Sequence, residues 1–431
     1  MSKINRRDFV KLSGAVAAGA MVGVPHIAKA GSGKKVVVVG GGTGGCTAAK
    51  YIRLMDSSID VTIVEPNKHY YTCYLSNEVL SGDRTIDSIR FGYDGVKKYG
   101  VKVVHDYATS IDASAKVVKT KSGQSIPFDQ AIVSPGVDFK WEAIEGYDAK
   151  VAETITHAWK AGPQTTTLRK QLEAMKDGGT VIIVAPPNPF RCPPGPYERA
   201  SQIAMYLQHN KPKSKVLILD PKDKFSKFGL FTKAWKKLYG YQTDNSFIEW
   251  MSAADGGAVS ALNAKAMTVS AELEEFKGDV INIIPPQKAG KITFDSGLTK
   301  GDWCPVNKKT FESTLQAGVY VIGDAASAAK MPKSGYAANS QAKVAAAAVV
   351  DYLNGREPGE PSYVNTCYSI AGKDYGFSVA AVYKLSADGK TIAGVKGAGG
   401  LTPGDASAET LKREVTYAHS WFLNITSDVF G

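Results

Sequence analysis

The sequence predicts an α/β fold in which a parallel sheet covered by helices occurs twice and is followed by a small α+β unit. Two stretches have a β-α-β pattern and lie roughly 145 residues apart. Each opens with an unbroken run of mainly β-branched residues, which is typical of a strand buried on both faces. The tail from about Pro358 is rich in turns and aromatic residues, which indicates the α+β unit. With 431 residues, the chain has room for two or three domains.

The first β-α-β unit runs from a strand at Lys35–Val39, through a helix of small residues at Cys46–Met55, to a second strand at Asp60–Glu65. The second unit has a strand at Thr180–Val184 and a helix from about Tyr197 to His209. Its next strand spans residues 215–220. These spacings match a strand–helix–strand crossover of about 30 residues in both places.

The loop after the first strand matches a dinucleotide-binding fingerprint, with Gly40, Gly42 and Gly45 in the G-x-G-x-x-G positions. The first glycine permits a tight turn, the second lets the backbone approach a pyrophosphate, and the third allows close packing of helix on strand. Glu65 ends the next strand and can accept hydrogen bonds from ribose hydroxyls. Because the loop lies between a strand and a helix, we expect it to bind a dinucleotide.

Later segments favour FAD as that dinucleotide. A strand at residues 131–134 runs into a turn at Gly136, and a second strand ends in Gly323 and Asp324. A carboxylate at a strand end is suited to the ribityl chain of a flavin. An Ala-rich helix is predicted from roughly Ala338 to Leu353.

The second unit lacks the glycines that a nicotinamide cofactor needs. Its loop, residues 185–196, contains six prolines, which have no N–H group for phosphates and whose rings prevent close backbone approach. We therefore expect no NAD(P) site in the second unit. Cys192 lies in this stiff loop, where a thiol would be held in a fixed position.

The N-terminus carries an export signal. Arg6 and Arg7 precede a weakly apolar stretch, residues 13–24, and an Ala-x-Ala cleavage site at residues 28–30. The apolar stretch is too short to span a membrane. We therefore expect a twin-arginine signal peptide at residues 1–30, a periplasmic location and no transmembrane segment.

Charge and cysteine content exclude other classes. The net charge is +11, of which the first 30 residues contribute +4, and the remaining basic residues are scattered. A nucleic-acid-binding protein would concentrate them on one face, so no nucleic-acid partner is expected. The five cysteines form no CxxC or CxxCH motif, so we expect neither a metal site nor a haem on this chain.

Five motifs together resemble the flavoprotein subunit of flavocytochrome c sulfide dehydrogenase, and the resemblance extends over essentially all of the chain after residue 30. They are the glycine fingerprint and the segments Tyr70–Asn77, Phe190–Arg199, Pro332–Tyr336 and Asn365–Ser369. The fold implied is a two-dinucleotide-binding-domain flavoprotein of the pyridine nucleotide-disulfide oxidoreductase type with a small C-terminal α+β domain.

The resemblance also implies roles for individual residues. Cys73 would be the covalent anchor of FAD, joined to its 8α-methyl group. Cys192 and Cys367 would form a redox disulfide over the flavin ring, and Glu198 would be an acid/base group. The helix that follows the segment Lys333–Tyr336 would point its N-terminus at the flavin, and Lys333, Gly335 and Tyr336 would contact the cofactor. Cys46 and Cys304 receive no role and are expected to be packed thiols.

The activity implied is oxidation of hydrosulfide to sulfur or polysulfide, with electrons passing to a c-type cytochrome subunit that carries the haem, in a heterodimer. A sulfide:quinone oxidoreductase and a periplasmic flavoprotein without enzymatic activity remain as alternatives. The expected domains are residues 31–150 and 291–357 for FAD, residues 151–290 for the second dinucleotide-like domain, and residues 358–431 for the C-terminal domain.

Overall fold

The computed structural model describes residues 33–431, so the predicted signal peptide lies outside the described residues. The strands in that part of the chain are β1 Lys35–Val39, β2 Asp60–Val64, β3 Tyr70–Tyr71, β4 Arg90–Phe91, β5 Lys102–Val104, β6 Ala108–Asp112, β7 Val117–Thr120, β8 Ser125–Pro127, β9 Gln130–Val133, β10 Val137–Phe139, β11 Thr180–Val184, β12 Lys215–Leu219, β13 Ile248–Met251, β14 Val259–Asn263, β15 Thr268–Ala271, β16 Glu275–Lys277, β17 Val280–Ile283, β18 Gln287–Ala289, β19 Val319–Val321, β20 Ser362–Gly372, β21 Tyr375–Leu385 and β22 Ile392–Leu401. The α-helices are α1 Thr43–Met55, α2 Asn77–Ser81, α3 Asp94–Lys97, α4 Pro163–Ala174, α5 Gly195–Asn210, α6 Phe228–Tyr239, α7 Lys291–Asp295, α8 Gly335–Leu353 and α9 Ala408–Phe430.

The first sheet is parallel and has the strand order β19-β9-β1-β2-β5. Val36 to Val39 are buried on both faces of β1, as their unbroken apolar run predicts. Helices α1 and α8 pack on one another beside this sheet. Because β9 and β19 come from distant parts of the chain, the sheet brings residues 130–133 and 319–321 next to the glycine loop.

The second sheet is also parallel, in the order β13-β12-β11-β17. Its core is separate from that of the first sheet and contains Trp235, Tyr197 and Phe231, all fully buried. Strand β11 leads into the loop that carries Cys192, and this loop ends at the start of α5. The two predicted β-α-β units are therefore confirmed.

The tail forms an antiparallel sheet in the order β20-β21-β22, followed by the long helix α9. Helix α9 packs on β21, β20 and α1, so the tail contacts the first sheet's helices. Phe422 lies in a small apolar cluster with Val79 and Ile89, next to the predicted flavin anchor segment. Among residues 33–431 no helix combines the length and apolar character needed to cross a membrane.

Several element limits differ from those predicted. Helix α1 begins at Thr43 rather than Cys46, because Gly42 is its N-cap and the last glycines of the fingerprint are already helical. The strand predicted to reach Asp324 ends at Val321, and Gly323–Ala325 form a short 3₁₀ turn. Helix α8 begins at Gly335 because Ser334 caps it, its Oγ accepting a hydrogen bond from the Ala337 N–H.

Candidate active site

Three cysteines from distant parts of the chain line one cavity, which has an empty volume of about 770 Å³. Cys73 precedes α2, Cys192 lies between β11 and α5, and Cys367 is in the middle of β20. The first turns of α5 and α8 and one face of α9 complete the lining. The cavity therefore lies where both parallel sheets and the C-terminal sheet meet.

The loop around Cys192 is held by backbone hydrogen bonds. Its N–H donates to the carbonyl of Lys333 at 2.8 Å, and its carbonyl accepts from the Gly195 N–H at 2.8 Å. Cys192 has a φ of +56°, a left-handed conformation that is uncommon for a residue with a side chain. The neighbouring prolines limit the loop further, so the thiol is carried on a stiff segment bonded to the entry of α8.

Cys367 is fixed by the register of the C-terminal sheet, where it pairs with Val379 across β20 and β21. Burial raises the pKa of its thiol, while Lys227 lowers it. Burial also raises the pKa of Cys192 strongly, and the nearby Cys367 adds to that rise. Both cysteines are free thiols in the structure, so the disulfide expected between them stays a prediction.

Glu198 lies in the first turn of α5, beside both cysteines. One carboxylate oxygen accepts a hydrogen bond from the Ile370 N–H at 2.9 Å, and the other accepts one from the Asn77 side chain at 3.2 Å. Burial raises the pKa of Glu198 to about 7. A carboxyl group with this pKa can hold or release a proton near neutral pH, as an acid/base group must.

Arg199 supports Glu198 from the next position on α5. Its guanidinium donates to the Asn77 side chain and to the carbonyls of His157 and Ala158, and it lies 5.0 Å from the centre of the Trp159 ring. Asn77 thus bonds to both Glu198 and Arg199 and links α2 to α5.

Cys73 lies near the charged groups of Arg191 and Asp324. Burial raises the pKa of Cys73, and the positive charge of Arg191 opposes this. Burial also raises the pKa of Asp324, which Arg191 and Lys333 lower. Asp324 Oδ1 and Arg191 Nε are both buried without a hydrogen-bond partner in the described residues. A buried polar atom without a partner is rare and indicates a missing ligand or water.

The glycine fingerprint has the geometry that its spacing predicts. A Cβ atom on Gly45 would lie 1.8 Å from the Gly40 carbonyl oxygen, so α1 can approach β1 this closely only without a side chain. Gly40 has a φ of +100°, and Gly42 caps α1 without a side-chain bond, which leaves N–H groups of the first turn for a ligand. Glu65 is next to the loop and accepts a hydrogen bond from the Gly41 N–H at 2.8 Å.

The other predicted flavin contacts lie around this loop and the cavity. Gly136 and Gly323 both have positive φ and follow neighbouring strands of the first sheet. Burial lowers the pKa of Lys333 to about 8, and its ammonium donates to the Asp324 carbonyl at 2.6 Å. Gly335 and Tyr336 line the cavity at the start of α8. The cradle of glycines and the unpartnered Asp324 oxygen together fit FAD.

The second sheet has a carboxylate where a nicotinamide cofactor would place its ribose, but this carboxylate is fully bonded within the protein. Asp220 follows β12 and accepts hydrogen bonds from the Tyr197 hydroxyl at 2.6 Å and the Trp250 indole at 3.0 Å. Its other oxygen is 2.6 Å from the Lys222 ammonium. This supports the prediction that the proline-rich loop leaves no NAD(P) site.

The remaining two cysteines are packed thiols, as predicted. Cys46 and Cys304 are fully buried in the core of the first sheet. The Cys46 thiol donates to the Gly41 carbonyl at 3.2 Å, and burial raises its pKa far above the usual range.

Sequence reasoning missed three polar residues of the site. Arg191 is next to Cys192, and this adjacency is the sequence feature that could have identified Arg191 as a site residue. Asn77 lies in a motif used for the resemblance but without an assigned role. Lys227 reaches Cys367 from the start of α6, 140 residues away, and no local pattern indicates that contact.

Comparisons with known proteins show which families the chain matches. Residues 165–285 match the model for the central part of the sulfide dehydrogenase [flavocytochrome c] flavoprotein chain. Residues 359–430 match the flavin-binding model of flavocytochrome c sulphide dehydrogenase, and residues 34–181 match the pyridine nucleotide-disulphide oxidoreductase model. A twin-arginine translocation signal matches residues 3–23, which confirms export to the periplasm by this pathway.

Individual relatives point the same way. The chain is 59% identical over 46 residues to the sulfide dehydrogenase flavoprotein chain of Chlorobaculum thiosulfatiphilum, a match that covers 96% of that sequence and 11% of this one. It is 25% identical over 374 residues to a mitochondrial sulfide:quinone oxidoreductase of Dictyostelium discoideum, covering 80% of this chain and 78% of the relative.

Solved structures confirm the fold class. The sulfide:quinone oxidoreductase of Aquifex aeolicus superimposes with a TM-score of 0.69 at 17% identity, covering 92% of each chain. Putidaredoxin reductase superimposes with a TM-score of 0.64 over 82% of each chain, at 15% identity. The fold is thus that of two-dinucleotide-domain flavoproteins. The chain is an FAD-binding oxidoreductase, and it belongs to the family of flavocytochrome c sulfide dehydrogenase flavoprotein chains.

Proposed function

We propose that this chain oxidises hydrosulfide at Cys192 and Cys367 and that its electrons leave to a c-type cytochrome subunit. The observation that carries the proposal is the shared cavity of three cysteines that are far apart in sequence. Such a cavity, with a carboxyl group of pKa about 7 beside two thiols, supports thiol–disulfide chemistry rather than simple binding.

We propose residues of this chain for each part of FAD. Gly40, Gly42 and Gly45 suit the pyrophosphate, Glu65 the ribose, and Asp324 the ribityl chain. Cys73 is proposed as the covalent anchor. Further contacts are proposed from Gly136, Gly323, Lys333, Gly335 and Tyr336. When bound, FAD accepts an electron pair and can return the electrons one at a time.

We propose that residues of this chain carry out the reaction with hydrosulfide. In the oxidised protein, Cys192 and Cys367 would be joined as a disulfide. Hydrosulfide attacks one of these sulfurs, the S–S bond breaks, and its electron pair stays on the other sulfur as a thiolate. The attacking sulfur is oxidised and remains as a persulfide, while the disulfide is reduced. Glu198 takes the proton when hydrogen sulfide rather than hydrosulfide enters the cavity.

A cytochrome partner is proposed from the family. The relative from Chlorobaculum thiosulfatiphilum is the flavoprotein chain of a flavocytochrome c. We propose a heterodimer in which a separate subunit carries haem c. We also propose that this chain has three domains: an FAD-binding domain of residues 31–150 and 291–357, a second dinucleotide-like domain of residues 151–290, and a C-terminal domain of residues 358–431.

The test uses the holoprotein purified with its partner, mixed anaerobically with micromolar sulfide while flavin absorption is recorded. The wild-type flavin should bleach, and Cys192→Ser should abolish the bleaching because no disulfide can form. Cys46→Ser is the matched control, since that thiol is packed in the core. If Cys192→Ser bleaches at the wild-type rate, the proposed mechanism is wrong.

A second candidate acceptor is a quinone, favoured by the similarity to sulfide:quinone oxidoreductases. After sulfide reduction, the oxidant that restores flavin absorption distinguishes the two. The proposal expects rapid reoxidation by cytochrome c and slow reoxidation by a soluble quinone. The reverse order would favour the quinone reaction, and a flavin that only dithionite bleaches would indicate a non-enzymatic flavoprotein.

A further inference from the structure

Lys227 is a buried cation that forms no ion pair among the described residues, although its charge acts on the carboxyl group of Glu198. Its residue is 7% exposed, and no carboxylate in residues 33–431 lies within ion-pair distance of its ammonium. Burying an unpaired charge is costly, so this position needs a compensating role.

The ammonium of Lys227 is aimed at the strand that carries Cys367. It donates to the Cys367 carbonyl at 2.7 Å and to the Ser369 hydroxyl at 3.1 Å. It also lies 5.6 Å from the centre of the Phe377 ring. Lys227 is itself in the left-handed region, with a φ of +61°, just before α6. The charge is therefore held beside β20 by two hydrogen bonds, one of which goes to the backbone carbonyl of Cys367.

The two thiols of the site consequently lie in different fields. The charged and titratable groups that act on Cys367 are Lys227, from the start of α6, and Glu198, from α5. Burial raises the pKa of Cys192 most. Cys367, Cys73 and Glu198 raise it further, and Arg191 lowers it. Helices α8 and α9 contribute Tyr336, Ala418 and Trp421 to the cavity.

This asymmetry bears on which sulfur leaves when the disulfide is attacked. A thiol of lower pKa is the better leaving group in thiol–disulfide exchange. We propose that Lys227 is a positioning residue that makes Cys367 the leaving sulfur, so that the persulfide forms on Cys192. This proposal rests on the proposed function and specifies the direction of its first step.

The step balances within the named groups. The hydrosulfide sulfur bonds to Cys192 Sγ and keeps its proton, and the bond between Cys192 and Cys367 breaks. The electron pair of that bond stays on Cys367 Sγ as a thiolate, which the positive charge of Lys227 favours. The substrate sulfur is oxidised, the disulfide is reduced, and no further reactant is needed.

The first experiment measures thiol reactivity and needs no sulfide. The reduced holoprotein is alkylated with iodoacetamide across a pH series, and the modification of Cys367 and Cys192 is followed by peptide mass spectrometry. Lys227→Met should raise the apparent pKa of Cys367 by about one unit and slow its alkylation about tenfold at a fixed pH below that value. Cys192 should change much less.

The controls separate charge from fold. Lys227→Arg should keep the wild-type pKa of Cys367, because it keeps the positive charge. Lys224→Met removes an exposed cation from the same loop and should have no effect. Melting temperatures of all variants report on folding. An unchanged Cys367 pKa in Lys227→Met would overturn the proposal, whatever its effect on activity.

The second experiment uses the wild-type protein alone and so does not depend on a variant folding. The oxidised holoprotein receives one equivalent of sulfide anaerobically, is trapped by alkylation and is mapped for the persulfide. The expected location is Cys192, and a persulfide mainly on Cys367 would contradict the proposal. Finding a persulfide on neither cysteine would instead contradict the proposed function, so the two failures are distinguishable.

Discussion

Glu198 shows how one residue's surroundings set its chemistry. A carboxyl group at a helix start is ordinarily ionised and stabilised by the helix dipole. Here burial beside two thiols outweighs that effect and raises the pKa of Glu198 to about 7, although the Ile370 N–H and the Asn77 side chain favour the charged form. The residue is therefore poised to exchange a proton at neutral pH.

Replacing Glu198 by Gln should remove this proton exchange. We expect sulfide-dependent flavin bleaching to slow by about 100-fold at pH 7, the scale of general acid–base catalysis. The measurement is a stopped-flow pH–rate profile. Glu274→Gln, an exposed carboxylate far from the site, should keep the wild-type profile. Bleaching of Glu198→Gln at the wild-type rate at pH 7 would rule out this assignment.

The same substitution has a consequence for stability. Because the folded-state pKa of Glu198 is above its unfolded value of 4.5, the folded protein binds more protons between pH 4.5 and 7. Wild-type stability should thus decline relative to Glu198→Gln as the pH rises through that window, by up to about 3 kcal/mol. Above pH 7 the difference should be constant.

For single residues, the sequence predicted which residues belong to the site better than it predicted their contacts and burial. Cys192 and Cys367 were assigned through a family resemblance, because no local pattern relates residues 175 positions apart. Glu198 was a candidate from its place in a motif, yet its raised pKa comes from burial, which depends on how the distant segments around α5 pack together. Lys227 could not have been found, since the contact with Cys367 depends on how α6 packs below the C-terminal sheet.

At the scale of elements, the β1–loop–α1 unit was predictable because its constraints are local. Val36 to Val39 form a strand from their own side chains, and the three glycines follow from the close approach of α1 to β1. The exact start of α1 was not predicted, because Gly44 and Gly45 are poor helix formers in isolation and are helical here through packing.

Gly45→Ala should disrupt this unit. The new methyl group would overlap the Gly40 carbonyl oxygen, so α1 must move away from β1 and the phosphate-binding turn must open. We expect little flavin in the purified variant. Gly92→Ala is the matched control, since nothing lies within 4 Å of its added Cβ atom.

The same preparations test the covalent anchor. After acid precipitation, wild-type flavin should stay with the protein pellet, because Cys73 is expected to hold it through a thioether. Flavin should be released from Cys73→Ser and be scarce in both fractions of Gly45→Ala. Wild-type flavin found free in the supernatant would contradict the linkage, and full flavin content in Gly45→Ala would contradict the packing argument.

At the scale of the whole molecule, two sheets of the same kind have different uses. The first keeps its glycine loop, whereas the second has a proline-rich loop that carries Cys192 and an Asp220 carboxylate bonded by Tyr197, Trp250 and Lys222. The presence of both sheets followed from the sequence, but the internal bonding of Asp220 required the structure.

We therefore expect NADH and NADPH to leave the flavin oxidised. Millimolar NADH added anaerobically to the holoprotein should not change its absorption, since the prolines of the loop have no N–H groups for phosphates and the Asp220 carboxylate is bonded within the protein. Sulfide added afterwards to the same sample is the positive control and should bleach it. Bleaching by NADH before sulfide would mean that the second sheet still binds a nicotinamide nucleotide.

The occupied Asp220 carboxylate also limits what can be made of this scaffold. If three glycines were introduced into the proline-rich loop, the Asp220 carboxylate would still be bonded by Tyr197, Trp250 and Lys222. The rings of Tyr197 and Phe225, whose centres are 3.5 Å apart, would also stay stacked. Conversion of this protein to turnover of a pyridine nucleotide would therefore also require replacing the side chains that bind Asp220. The Asp220 carboxylate is therefore engaged from within the fold, and new glycines in the loop alone will not free it.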